Sequence, residues 1–306
     1  MDNIISKINE LEKETKLNLG SSKSKNTLRA YKSDFSDFKN FCQELSMPYL
    51  PTHTKAVSLY LTHLSKFNKY STLKRRLASI NVIHALKGHH LDTKHPLIRD
   101  NLEGIKRKIG IYQNGKKPLL INNLHLIIDV IDQYKIQKYV RATRDKAMLL
   151  LGFSGGFRRS EIVNLKESDL EFVEEGLKIS LRRSKSDQYG EGMIKAIPHF
   201  NNKKYCAIIA LQDWLSARTS NNNLIFPYSD KTVSLILKKY LKVIGLDSRL
   251  YSGHSLRSGF ATSTASHGAD ERSIMAMTGH KSTEMVRRYI KESNLFKNNA
   301  LSKLND

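Results

Sequence analysis

The chain is poor in residues that staple or interrupt a fold: 306 residues include two cysteines, six prolines and one tryptophan. Cys42 and Cys206 lie far apart and cannot form a disulfide framework, or by themselves a four-ligand zinc site. Cys42 falls on an apolar helical stripe and reads as a buried thiol. Long apolar runs are also missing. The longest, around Met148-Leu-Leu-Leu151, is a small fraction of the ~20 residues that span a bilayer. Met1-Asp-Asn-Ile-Ile-Ser-Lys7 has no basic segment followed by a long apolar one, so a reducing, cytoplasmic location and no membrane association are expected. Acid is scarce as well: 29 Asp and Glu stand against 51 Lys and Arg, a net charge of +22. An excess of this size exceeds what solubility needs and points to a polyanionic partner.

The excess is spread along the chain. Residues 1–117 hold 22 basic and 10 acidic residues, the remainder 29 and 19, so both parts are expected to touch the polyanion. Hydrophobic content of 40% excludes wholesale disorder, and the length suits two domains with separate cores.

Ile4, Ile8 and Leu11 predict a short amphipathic helix in an N-terminal extension, residues 1–23, with a flexible connector over 20–25. An all-α domain over residues 24–110 follows. Leu28, Tyr31, Phe35, Phe38, Cys42 and Leu45 make its first stripe, with Thr27 as N-cap. Val57, Tyr60, Leu61 and Leu64 mark a second helix, and Leu73, Leu77, Ile80 and His84 a third. Off that third stripe, Lys74, Arg75 and Arg76 form a basic cluster free to face a partner. A fourth helix starts near Pro96, with Ile98, Leu102, Ile105 and Ile109 inward and Lys106, Arg107 and Lys108 at its end. Residues 111–118, with Lys116 and Lys117, read as a linker that crosses the partner. In the last segment, 119–306, helical patterns dominate. They are interrupted by an alternating hairpin, residues 177–181 and 193–197, around a polar turn carrying Lys185.

The chemistry-bearing residues are individually weak signals. Gly155-Gly-Phe-Arg-Arg-Ser-Glu161 is a glycine turn leading into a helix start. His254-Ser-Leu-Arg257 puts a histidine and an arginine on one helical face, suited to the two non-bridging oxygens of one phosphate. Gly279-His280 follows a helix C-cap signal. Tyr289 lies on a helix with Met285 and Val286 on its apolar side, and carries an oxygen nucleophile. In isolation each has an ordinary structural explanation: a surface salt bridge, a helix-start histidine, a packing tyrosine.

As an ordered set they resemble the tyrosine recombinase (phage integrase) family, from about residue 24 onward. The resemblance implies a mainly α fold with a small antiparallel sheet: an all-α, SAM-like core-binding domain and an α+β catalytic domain. It assigns Arg158 and Arg257 as the catalytic arginines, with Glu161 supporting the first. His254 and His280 become the histidines, Lys185 the hairpin lysine and Tyr289 the nucleophile. Arg159 duplicates the first arginine. Lys178 and Lys195 compete with Lys185, with Arg182 and Arg183 nearby. The implied reaction is attack of Tyr289 on a DNA phosphodiester, giving a 3′-phosphotyrosyl link and a 5′-hydroxyl, with Lys185 as general acid and His254 assisting the phenol. No metal or other cofactor is implied.

The implied partners are double-stranded DNA core sites and a tetramer of this chain on DNA, with accessory DNA-bending proteins allowed for. The apolar segment 295–304 would dock on a neighbouring copy. The short extension before residue 24 leaves no room for an arm-binding domain. The competing readings are a type IB topoisomerase-like activity and a catalytically idle DNA-binding protein.

Overall fold

In the computed structural model the described residues are 2–21, 23–111, 115–136, 138–181, 192–219 and 222–293. The chain divides into two compact units, Met1–Asn114 and Gly115–Asp306, each with its own apolar core.

The first unit is helical: α1 (Asp2–Ser21), α2 (Lys25–Glu44), α3 (Thr54–Ser65), α4 (Tyr70–Leu86) and α5 (Pro96–Ile109). α1 is longer than its three apolar markers suggest, running through Gly20 where a connector was expected. α2 also begins earlier than expected. Ser24, not Thr27, is its cap, accepting the Thr27 N–H at 3.2 Å and so satisfying an orphan donor of the first turn. Phe38, Cys42, Tyr60, Leu61, Leu73, Ile80 and Ile98 fill the core, and burial lifts the Cys42 thiol to about 11. Ile109, expected inward, is 39% exposed; the inner stripe of α5 is already complete at Ile98, Leu102 and Ile105 when the helix ends.

The basic cluster of α4 also differs from its sequence reading. Only Lys74 is exposed without a described ion pair. Arg75 pairs with Asp34, and Arg76 pairs with Asp37 and donates to the Tyr60 hydroxyl at 2.5 Å. The reason lies on α2: Asp34 is buried, and a buried carboxylate needs counter-charge and donors, here Arg75 and Ser79.

The second unit contains α6 (Ile121–Tyr134), α7 (Tyr139–Ser154), α8 (Arg159–Asn164), β1 (Leu170–Val173), β2 (Gly176–Leu181), β3 (Met193–Pro198), α9 (Ala207–Ala217), α10 (Asp230–Val243), α11 (His254–Ser266), α12 (Glu271–Thr278) and α13 (Thr283–Ser293). α7 is the central helix, packed by α6, α9, α10 and α11. That position explains the continuous buried run Ala147–Leu151: a helix covered on all sides has no polar face. The sheet is antiparallel throughout in the order β1-β2-β3, with Leu170 opposite Ile179 and Leu181 opposite Met193. β1 has no counterpart in the sequence reading, because four half-exposed residues are too few to show alternation. Residues 115–120 run beside α11, with Lys117 N–H bonded to Leu250 O at 2.8 Å and Leu119 N–H to Ser255 O at 2.9 Å. The apolar segment 295–304 lies outside the described residues.

His84 ties the first unit together. Its Nδ1–H donates to Ile80 O at 2.8 Å, and its Nε2 accepts the Thr52 N–H at 3.1 Å. Burial lowers its pKa below the ordinary 6.5. The neutral ring is the one that fits, so its stabilising contribution is present above the unfolded value and lost as pH falls through the folded one. We expect His84→Leu to destabilise the chain by about 1–3 kcal/mol near neutral pH, since Thr52 N–H loses its acceptor. We also expect the variant to lose part of the wild-type decline in urea midpoint on acidification, followed by circular dichroism. A midpoint unchanged at neutral pH would contradict this account.

Candidate active site

Two turns and two helix starts build the site. α7 ends at Ser154, and the Gly155-Gly156 turn delivers Arg158 as the residue preceding α8. Three residues on, Glu161 reaches back. One of its oxygens accepts the Arg158 N–H at 2.8 Å and the other the Arg158 guanidinium at 2.6 Å. Glu161 is therefore both a helix cap and the carboxylate that orients Arg158. The other end of that guanidinium approaches Gly279 O at 3.4 Å.

The structure resolves the arginine doublet. Arg159 turns away and forms an ion pair with Asp230 at 3.4 Å. Its methylenes occupy the space beside Gly253, where a Cβ would come within 2.2 Å of Arg159 Cδ. Arg159 thus supports the start of α11, while Arg158 bonds Glu161 and Gly279.

α11 begins at His254, which is exposed, and three residues later carries Arg257, which is 1% exposed. Arg257 Nη1 donates to Gly156 O at 2.9 Å, while Nε and Nη2 have no hydrogen-bond partner among the described residues. Burial, and then the charge of Arg158, lower its pKa to about 10, opposed by Glu161 and Tyr289. A buried guanidinium with two unmet donors is costly unless the site exists to receive an anion.

α12 stops at Thr278 because Gly279 takes the left-handed conformation, φ +63°, and this turn places His280. The Thr278 hydroxyl donates to Ile274 O at 2.6 Å and lies 2.8 Å from His280 Nδ1. With its only proton committed, Thr278 can only accept, so His280 carries its proton on Nδ1. Burial and the neighbouring Arg257, Arg158, His254 and Lys195 lower the His280 pKa to about 3, leaving a neutral ring with a lone pair on Nε2 at neutral pH.

α13 is anchored by Val286 on Ala261, Ala265 and Ile274. That sets the half-buried Tyr289, three residues on, with its ring centroid 6.1 Å from that of His280. Met285, expected to share the apolar side with Val286, is 51% exposed; Ile290 packs against the cluster instead.

Lys185 lies outside the described residues, as do Arg182 and Arg183. Lys178 is on the outer face of the sheet, paired with Glu171 at 3.2 Å. Lys195 is 1% exposed and donates to Gly155 O at 2.6 Å and to Met277 O. Burial lowers its pKa to about 7, with Glu161 opposing and Arg257 and Arg158 adding to the shift. The sequence named Lys195 only as a competitor for the hairpin lysine. A sharper signal was available: strand alternation puts Lys195 on the inward side with Met193 and Ile197. Of the other basic residues named, Lys106 pairs with Glu103 at 3.3 Å, Arg107 is exposed, and Lys116 donates to Arg249 O at 2.5 Å while Lys117 is exposed.

The described site thus gathers Arg158, Glu161, Lys195, Arg257, His280 and Tyr289, with His254 at its rim. One carboxylate stands among two guanidinium groups and a buried amine, beside a phenol. Such a site is suited to a phosphodiester and an oxygen nucleophile, the combination that defines tyrosine-dependent DNA strand transferases.

The chain belongs to the phage integrase family of tyrosine recombinases, whose sequence profile matches residues 119–295. It is 40% identical to an integrase/recombinase xerD homolog of Selenomonas ruminantium, over 96% of this chain and 89% of that one. It is 29% identical to the tyrosine recombinase XerA of Pyrococcus horikoshii, over 88% and 84% of the two chains. Its fold resembles that of the XerH site-specific recombinase in a post-cleavage complex with palindromic difH substrate. That match has a TM-score of 0.63 and 17% identity, over 83% of this chain and 73% of that one. It also resembles a lambda integrase dimer bound to a COC′ core site, with a TM-score of 0.59 and 19% identity over 92% and 93%.

The pKa of Lys195 carries a stability signature. Its folded value of about 7 lies below the ordinary 10.5, so between those values the unfolded chain binds the extra proton and stability rises with pH. The wild-type urea midpoint should therefore climb relative to that of Lys195→Met as pH increases from about 7 to about 9. Parallel pH profiles for the two proteins would contradict the burial of a titrating amine.

Proposed function

We propose that this chain is a site-specific recombinase that cuts and rejoins double-stranded DNA at core sites, with Tyr289 as nucleophile. The observation that carries the assignment is Arg257: a buried guanidinium with two unmet donors, beside an oriented Arg158 and a tyrosine. The phosphodiester would sit between the arginines. As the Tyr289 oxygen attacks phosphorus, negative charge grows on the equatorial oxygens, and fixed donors that need no reorganisation stabilise it. The P–O bond to the 5′-carbon side breaks, leaving a 3′-phosphotyrosyl link and a 5′-hydroxyl. Attack by the 5′-hydroxyl of a second duplex reverses the chemistry and exchanges strands, and the phosphotyrosyl link conserves the bond for it.

Proton transfers divide among three residues. A phenol titrates near about 10 and must lose its proton during attack. The bare Nε2 of His280 supports it as acceptor beside Tyr289, with exposed His254 as the second candidate. Protonation of the leaving oxygen falls to Lys185. Strand exchange between two duplexes calls for a tetramer, and segment 295–304 is the proposed contact between copies. The helical first unit is assigned to the core site, with Lys74, Lys106, Arg107, Lys116 and Lys117 as phosphate contacts; Arg75 and Arg76 would join them only by sharing their aspartates. Much of the affinity should then fall steeply with salt. The reaction takes place where the host DNA is, in the cytoplasm.

Family membership and the recombinase relatives disfavour relaxation without exchange and idle DNA binding. The test starts from a randomised pool of nicked duplexes that trap a covalent intermediate. Wild type is expected to yield an adduct that survives denaturing electrophoresis, and Tyr289→Phe none. An adduct formed by Tyr289→Phe would remove the nucleophile assignment. If Arg257→Ala cleaved the recovered duplex within a few-fold of wild type, the phosphate-clamp account would fail.

A further inference from the structure

Lys195 is a buried ammonium on a strand, yet it touches the ends of two helices. Gly155, whose oxygen it binds at 2.6 Å, is the C-cap of α7; Met277, whose oxygen it also binds, is in the last turn of α12. These are carbonyls that a helix leaves without an internal partner, at the negative end of each helix dipole. The Phe157 ring lies 4.7 Å from the ammonium and adds a cation–π contact.

Each helix end leads directly into a catalytic residue. From Gly155 the chain passes to Arg158, and from Met277 to His280. Two further bonds cross the same gap: Arg257 holds Gly156 O, and Arg158 reaches Gly279 O. Lys195 also sits two residues beyond Met193, where β3 meets the end of β2 at Leu181. It thus fixes one leg of the hairpin that carries Lys185.

We propose that Lys195 is a positioning residue that ties the Gly155-Gly156 turn, the Gly279 turn and the β2–β3 hairpin into one frame. Its amine sets where Arg158 and His280 stand and does not protonate the leaving group. The assignment rests on the recombinase reading for its catalytic consequence, but the frame exists without DNA. The groups facing the amine are Glu161 of α8, Arg158 before it, Arg257 of α11 and His280 after α12. Burial is the largest cost of that amine, and its attraction to Glu161 is opposed by the two arginines, so global stability can hold while the turns loosen. A merely structural lysine would not separate these effects.

The first experiment is hydrogen exchange on the free full-length protein. Lys195→Met, which keeps the length of the side chain, should speed exchange in peptides covering 155–161 and 277–281 together, with α9 amides unchanged as internal control. Lys195→Arg, which keeps the cation and two donors, should preserve protection in both. Unchanged exchange at both turns in Lys195→Met would overturn the proposal; so would loosening of α9 to the same degree in both variants, which marks a general folding role.

The second experiment uses the duplex recovered by wild type as a covalent adduct. Lys195→Met should form the adduct about 100-fold more slowly, the scale of an ångström-sized misplacement, and Lys195→Arg should recover most of the rate. The deficit should persist when the bridging 5′-oxygen is replaced by sulfur, whose thiolate leaves without a proton. Rescue by sulfur would make Lys195 the acid and overturn its positioning role. If wild type forms no adduct, the recombinase reading fails, while the exchange measurement still decides the frame.

Discussion

Burying the Arg257 guanidinium is the constraint around which the second unit is arranged. An arginine does not shed its proton under such pressure as a lysine or histidine does, so the charge must be accommodated by structure. One donor is met by Gly156 O, which requires the α7–α8 connection to turn sharply just there. The same turn aims Arg158, and the repulsion between the two cations calls for Glu161. That carboxylate has no capacity to spare: it caps its own helix and orients Arg158. Lys195 then adds a titrating amine beside them. The free protein therefore holds like charges at close quarters and leaves two donors of Arg257 unmet among the described residues.

Much of this frame was legible in the chain before any coordinates. The helix start at His254 is where the spacing put it, though His254 is exposed and Arg257 buried, and the central apolar run at Met148–Leu151 became the buried axis of the second unit. The arginine doublet was legible too, since Glu161 three residues on picks out Arg158. What local pattern did not show is the tertiary place of Arg159, beside Gly253 and paired with Asp230. The Arg75 and Arg76 cluster went astray for the same kind of reason, since Asp34 lies some forty residues away in sequence but faces them across two helices. Ser24 and Thr27 are both good caps, and only the backbone shows which of them is used.

Lys195 shows a limit of a different kind. Reading lysines as surface residues is right so often that a lysine in the inward register of a strand is easily taken for a flaw in the pattern. Burial of an amine becomes tolerable here because two helix ends supply carbonyls at the right place, and that coincidence belongs to the fold as a whole.

The space beside Gly253 has a consequence for how such a protein changes through descent. A side chain at 253 would collide with the methylenes of Arg159, and moving those would cost the contact with Asp230. Positions 159, 230 and 253 are thus expected to change together. A lineage that loses one should show compensation at the other two, even while its chemistry stays the same.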